Sequence, residues 1–370
     1  MKIPVAKPQS NLPKLKNFKK NINKELQSGN YVGGQNVDIF ESSLKKFLKI
    51  KYVTTLNSGT DALHFSLKAL GIGKKDEVIL PSFTYFATLS AVLKTGASPV
   101  FADTEKESFC ISASTVKKVL TKKTKCIIPV NLYGFDSDVE NLISLGNDNN
   151  IYVVEDNAQG FGSKTKTNKY LGTLGTVNAF SNYPSKTLGG LGDGGFITTN
   201  NKEIYEYIKI IKNQGQSKKY VHDYIGFNSR MDSLNAYYLN EKLKIFNEIK
   251  KSRKQFEIFY INLFSKYKSI LVPNVENKEL VLNYFTIQLP ATKRDLVKKS
   301  LQNKGIETET YYRTPMHLQS LVTNSKNNLT NTESLAKKVL SMPFFDFPTQ
   351  KELDYIESNI KKCFIELGIK

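Results

Sequence analysis

Lys186 closes the segment Phe180-Ser181-Asn182-Tyr183-Pro184-Ser185-Lys186 and is followed by the glycine-rich Leu188-Gly189-Gly190-Leu191-Gly192-Asp193-Gly194-Gly195. A primary amine can condense with a carbonyl, and glycines beside it let the backbone turn tightly around a bulky partner. Upstream, the apolar run Ile151-Tyr152-Val153-Val154-Glu155 delivers Asp156, whose carboxylate can hold a protonated ring nitrogen. Asn57-Ser58-Gly59-Thr60-Asp61-Ala62-Leu63 joins a strand-like stretch to a helix-like one, an arrangement in which hydroxyls and backbone amides grip an anion. Tyr85 follows Pro81-Ser82-Phe83-Thr84 and offers a flat ring.

Taken singly, these are also what a solvated lysine, a helix cap or a common turn would show. Together they supply the four parts that transamination through pyridoxal 5'-phosphate requires. These are a lysine that bonds the aldehyde and then shuttles a proton, an acid on the pyridine nitrogen, a phosphate grip and a support for the ring face.

Those parts need a scaffold that brings them together. Short apolar or β-branched runs predict strands at Val53–Leu56, Glu77–Leu80, Pro99–Ala102, Lys125–Pro129, Ile151–Glu155, Val177–Phe180 and Gly195–Thr199. Helical stretches are expected between them at 60–70, 84–94, 112–121 and 137–149. Strands alternating with helices imply an α/β fold with a mostly parallel central sheet covered on both faces. In such sheets ligands bind at the carboxyl ends of the strands, and 57–61, 81–85, 156–159 and 181–186 all fall there. An N-terminal helix or arm is expected over 12–28, with turns at Ser28-Gly29-Asn30 and Gly33-Gly34. The stretch 202–262 reads as helical, with long helices over 232–243 and 244–260. A strand at 283–289, helices at 296–303, 333–340 and 352–366, and a polar loop around 319–330 suggest a smaller α+β unit. The domain expectation is therefore an N-terminal arm plus a large α/β domain over 1–240, and a small domain over 241–370.

Composition sets the limits. The 370 residues carry 40% hydrophobic and 24% charged side chains, ordinary for a globular protein, and no apolar run reaches the ~18 residues of a membrane span. Cys110, Cys126 and Cys363 are scattered, as are His64, His222 and His317, so neither a disulfide framework nor a metal site is expected. MKIPVAKPQS shows no secretion signal, and a reducing cytoplasm is the expected setting. The net charge of +19 raises the question of nucleic acid. The excess is spread along the chain without aromatic-interleaved basic motifs, so a lysine-rich solvated surface is expected, with neither nucleic-acid binding nor membrane insertion. Such a surface would attract an anionic substrate.

The motifs resemble the DegT/DnrJ/EryC1/StrS family of sugar aminotransferases, which have the aspartate aminotransferase fold (fold type I). The resemblance spans nearly the whole chain. It runs from Gly29-Asn30-Tyr31-Val32-Gly33 and Phe40-Glu41 through Ser58–Leu63, Ala69–Gly73, Asp76–Ile79, Glu155–Gln159 and Phe180–Gly195. It continues through Gly226-Phe227-Asn228-Ser229-Arg230-Met231-Asp232 to Pro315-Met316-His317-Leu318-Gln319, and the segment around Lys186 is its most specific part. The resemblance implies that Lys186 is the Schiff-base lysine, Asp156 the partner of the pyridine nitrogen and Gln159 a contact of the ring hydroxyl. It likewise implies Tyr85 as the stacking ring and Gly59, Thr60 and Ser181 as phosphate-binding positions. Asn228 would reach the phosphate of a neighbouring subunit's cofactor, which implies a homodimer with shared sites. Tyr183, Tyr312 and His317 would approach the sugar nucleotide. The chain departs from the family at Gly160-Phe161, where Ala-His is common, at Asn182, which replaces an aromatic, and at Arg313, where proline is common. Each departure is a place where the sugar pocket can differ.

The expected reaction moves nitrogen from an amino donor, taken as L-glutamate, to a keto sugar linked to dTDP or UDP. Leu191-Gly192-Asp193-Gly194-Gly195 is closer to the family's 3-keto enzymes than to its 4-keto enzymes, which more often carry Glu-Gly-Gly. Same-fold dehydratases replace the lysine by histidine, which Lys186 argues against. A non-catalytic or nucleic-acid-binding use of the scaffold is opposed by the complete set of cofactor residues.

Overall fold

The computed structural model describes residues 1–105, 108–322 and 328–370. A 3₁₀ turn over Pro8–Lys14 leads into helix α1 (Lys16–Gln27), and the chain turns at Gly29, Gly33 and Gly34, all with positive φ, before α2 (Gln35–Leu48). Helix α2 buries Val37, Phe40, Leu44 and Leu48, a stripe at helical spacing that the sequence reading passed over.

Seven strands then form one sheet: β1 (Tyr52–Leu56), β2 (Glu77–Pro81), β3 (Ser98–Ala102), β4 (Thr124–Ile127), β5 (Tyr152–Asp156), β6 (Val177–Ser181) and β7 (Gly195–Thr199). Each lies within a residue or two of its expected position. Their order is β1-β7-β6-β5-β4-β2-β3, and only β7 runs antiparallel to its neighbours. Helices α3 (Gly59–Ala69), α4 (Phe86–Thr95), α5 (Ala113–Lys117) and α6 (Val139–Asn149) make the connections, with α5 shorter than expected. Strands β5, β6 and β7 are buried on both faces, which is why they read as continuous rather than alternating apolar runs.

The stretch expected to be helical is interrupted. Helix α7 (Lys202–Ile211) ends at a hairpin, β8 (Gln216–Lys218) and β9 (Val221–His222), before α8 (Ser233–Lys244) and α9 (Phe246–Phe264) resume. Gln214 and Gly215 both take positive φ there, which no helix tolerates. Beyond α9, β10 (Phe285–Gln288) pairs antiparallel with β11 (Val339–Met342), beside α10 (Ala291–Asn303), α11 (Thr330–Lys338) and α12 (Gln350–Glu366). The helix expected over 333–340 therefore stops at Lys338, and its last residues are strand, because β10 offers Val339 and Leu340 a ladder. Phe256, Tyr260, Phe285, Leu340, Ile356 and Phe364 form the centre of an apolar cluster there. The polar loop expected around 319–330 lies partly outside the described residues.

Candidate active site

One cavity of about 410 Å³ opens at the carboxyl ends of β1, β2, β5 and β6. Its base is the start of α3. Ser58 is extended and its hydroxyl accepts from the Asp61 amide at 3.1 Å, so the helix begins on a side-chain cap. Gly59 and Thr60 follow it into the cavity, where the first amides of an 11-residue helix and its dipole favour an anion. Two glycines make this cup. A Cβ on Gly59 would lie 2.8 Å from the Cβ of Ser181, and one on Gly195 would lie 2.5 Å from the carbonyl carbon of Ser58. Strands β6 and β7 thus approach α3 more closely than any side chain would allow.

Asp156, the last residue of β5, is 4% exposed and lines the cavity. Its Oδ2 accepts from the Thr88 hydroxyl at 2.8 Å and its Oδ1 from the Ala158 amide at 3.2 Å. Burial pushes its carboxyl above the ordinary carboxylate value, while Thr88, the Ala158 amide and the nearby charge of Lys186 pull it back. Behind Asp156, Glu155 accepts from the amides of Gly172, Leu174 and Gly175, which fixes the loop between β5 and β6. Gln159 is held at both ends. Its Oε1 accepts from the Tyr133 amide at 2.7 Å and its Nε2 donates to the Tyr312 hydroxyl at 3.1 Å.

Lys186 reaches the same cavity from the β6–β7 connection. A turn with its amide donating to the Tyr183 carbonyl at 2.8 Å presents it, and Asn182 closes the loop. The Asn182 amide donates to Gly194, its carbonyl accepts from Gly190, and its side chain donates to Leu188. Tyr85, 58% exposed, caps α4 and stands over the opening with its ring centroid 5.8 Å from that of Tyr312.

The cavity thus collects Gly59, Thr60, Tyr85, Asp156, Gln159, Ser181, Tyr183, Lys186 and Tyr312. Two expected residues lie elsewhere. His317 is buried outside the cavity, with Nδ1 2.6 Å from the Ser82 hydroxyl, Nε2 3.4 Å from Glu333 and its ring against Phe101. Asn228 sits outside the cavity of its own chain, its side chain accepting from Arg230 and its carbonyl beside Asn57. The three departures also leave the cavity untouched. Phe161 packs among Phe47, Phe180 and Phe246, Asn182 is spent on the loop, and Arg313 pairs with Asp295 at the surface.

Sequence reasoning missed Thr88, Ser185, Tyr284 and Tyr311, all of which line the cavity. Thr88 had a visible signal, since it lies one turn beyond Tyr85 on the same helix. Tyr284 comes from the distant segment before β10, bonds the Ser185 hydroxyl at 3.0 Å, and carries no local mark.

The donor set fits pyridoxal phosphate. A dipolar cup ends in hydroxyls, a buried carboxylate awaits a cation, and an amine lies across from it. Comparisons with known proteins agree. Residues 14–361 match the model of the DegT/DnrJ/EryC1/StrS aminotransferase family. The chain is 36% identical over 327 residues to the UDP-2-acetamido-2-deoxy-3-oxo-D-glucuronate aminotransferase of Pseudomonas aeruginosa, covering 88% of this chain and 90% of the relative. It is 32% identical to the GDP-perosamine synthase of Escherichia coli O157:H7, over 90% and 91% of the two chains. DesV of S. venezuelae superposes with a TM-score of 0.92 at 30% identity, covering 98% of each chain. NtdA of Bacillus subtilis, solved with bound cofactor PMP, superposes with a TM-score of 0.86 at 28% identity, over 95% of this chain and 82% of NtdA. The cofactor is pyridoxal 5'-phosphate.

Proposed function

The chain belongs to the DegT/DnrJ/EryC1/StrS aminotransferase family, and from that premise we propose that it transfers an amino group to a nucleotide-linked keto sugar. The observation that carries this reading is the single cavity into which Lys186, Asp156 and the N-terminus of α3 all open. Bound pyridoxal phosphate supplies an electron-accepting ring that carries nitrogen between donor and acceptor.

The residues divide the remaining work. Gly59, Thr60 and Ser181 would hold the phosphate. Asp156, as a carboxylate, holds the proton on the pyridine nitrogen. Its burial beside Thr88 keeps water from competing for that bond. Gln159, fixed by Tyr133 and Tyr312, would orient the ring hydroxyl, and Tyr85 would cover the ring face. Lys186 Nζ moves a proton to and from the carbon that gains or loses nitrogen. Tyr183 and Tyr312 line the side where a sugar would enter. Asn228, outside its own cavity, is assigned to the site of a second copy, which makes the working unit a homodimer.

The sugar is read as a 3-keto sugar on dTDP or UDP, with L-glutamate as donor. The segment ending in Asp193-Gly194-Gly195 and the 3-oxo substrate named for the Pseudomonas relative support this regiochemistry. The reading also keeps a division near residue 240 and a cytoplasmic setting, in which Cys110, Cys126 and Cys363 stay buried and unpaired.

Lys186→Ala tests the proposal. Turnover is expected to fall at least ~10³-fold, and borohydride should no longer fix cofactor to the peptide containing position 186. Unchanged turnover would sink the assignment. The amine-form enzyme, mixed with a panel of 3-keto and 4-keto nucleotide sugars, reads the regiochemistry directly, and faster consumption of the 4-keto members would reverse it.

A further inference from the structure

Lys186 and Ser185 form a wall with two sides. One side faces the cavity just described. The other faces a gap of about 10 Å³, room for about one water, also lined by Pro184, Asn11, Lys242, Arg253 and Asp346. Nothing in the proposed chemistry uses these charged residues, yet Lys242, Arg253 and Asp346 are 1%, 5% and 3% exposed.

Their bonds converge on the backbone around Lys186. Lys242, on α8, donates to the carbonyl of Gly189 at 3.2 Å and lies 4.0 Å from Asp346. Arg253, on α9, pairs through Nε with Asp346 and donates through its η1 nitrogen to the carbonyls of Leu282 at 3.0 Å and Asn283 at 3.3 Å. Asn283 in turn accepts from the amide and hydroxyl of Thr187 at 2.8 and 3.1 Å. Asn11, from the N-terminal arm, donates to the remaining oxygen of Asp346 at 2.8 Å. Position 187 is thus held by one line from the cluster and position 189 by another.

Fold stability alone does not account for this choice of residues. The cluster holds two cations against one carboxylate, and burial pulls the Lys242 ammonium down to about 8 despite the attraction of Asp346. Well-packed apolar side chains commonly replace buried ion pairs without loss of stability. What an apolar residue at 242 would not supply is a directed hydrogen bond to Gly189.

We propose that the Lys242–Asp346–Arg253 cluster is a positioning device for Lys186, fixing the backbone on its C-terminal side from behind the active-site wall. Proton transfer is sensitive to placement on the scale of 1 Å, so the cluster acts on the rate of the chemical step while leaving the sugar's binding surface alone. This rests on Lys186 being the reacting amine.

The test uses the full chain as Lys242→Met and Lys242→Arg. Cofactor-stripped protein is pulsed with acetic anhydride, and modification is read by peptide mass spectrometry at Lys186 and, as a control, at exposed Lys169. The Met variant is expected to change the Lys186 labelling rate about threefold or more, with Lys169 unchanged. It should also lower kcat about tenfold with KM for the keto sugar within about twofold, and the Arg variant should recover part of both. Unchanged Lys186 labelling and kcat in a folded Met variant would overturn the proposal, as would a rise in KM matching the loss in kcat. If Lys242→Met does not fold, Asn283→Ser cuts the other line, and unaltered labelling and kcat there overturn the proposal equally. Turnover that survives Lys186→Ala would remove the reading of the active site instead, a result distinct from either.

Discussion

Two buried aspartates lie on opposite sides of the Lys186 segment, and their surroundings differ in kind. Asp346, behind it, is bonded to Arg253 and Asn11 and faces Lys242. Asp156, in front, has a hydroxyl and one amide, and among the described residues no cation lies within ion-pair distance of it. The carboxylate with its cations in place is built into the scaffold. The one left short of a cation is placed where a ligand can bring it, and burial pushes its carboxyl above the ordinary value. Burial alone does not mark a functional acid; the missing partner does.

Substituting each aspartate by asparagine should separate the two roles. Asp156→Asn is expected to lower turnover about 10³-fold while the chain stays folded. Because burial raises the folded-state pKa of Asp156, its favourable contribution is complete below the unfolded-chain value and is lost as pH rises through the folded value. At neutral pH the cofactor-free Asn variant should therefore melt at the same temperature or higher. Asp346→Asn should do the reverse, because Arg253 and Lys242 would be left without their counter-charge. A stability loss of about 3 kcal/mol is expected from denaturant titration. Equal stability losses in the two variants would erase the distinction.

The sequence made the front side legible and left the rear side invisible, for a physical reason. Asp156 and Ser181 end their strands, and Thr60 and Tyr85 lie four residues past theirs, so the strand that positions each is written beside it. Asn11, Lys242, Arg253 and Asp346 meet only through the packing of the arm, α8, α9 and the segment after β11. No spacing announces that. His317 shows the same limit from the other direction, since its motif matched while its ring turned inward to Ser82 and Glu333. The hairpin β8–β9 was hidden because its turn rests on positive φ at Tyr220, a residue with no glycine-like signature.

A smaller change probes how far the shortage at Asp156 can be deepened. Thr88→Val keeps the shape and removes the hydroxyl that Oδ2 accepts from. A hydrogen bond to a charged group is worth ~1.5 kcal/mol or more, so turnover should fall about tenfold. The loss has a direction in pH. Thr88 favours the ionised form of Asp156, so without it the carboxyl should ionise at higher pH and the acid limb of the rate profile should move upward. An unmoved limb would mean that Thr88 is packing and not a partner.

The least drastic test concerns completeness. The rear compartment is closed by residues of one chain, whereas the front cavity is proposed to borrow Asn228 from a second copy. Lys186→Ala and Asn228→Ala homodimers should each be nearly inactive. In a hybrid of the two, one site combines the intact Lys186 of one chain with the intact Asn228 of the other, and its twin site carries both defects. Random mixing of equal amounts makes half of all dimers hybrids with one good site each, so activity should return to about a quarter of the unmodified level. No recovery in a hybrid verified by native mass spectrometry would put the whole site within one chain, and the contrast between an open front and a closed rear would then rest on the missing cation alone.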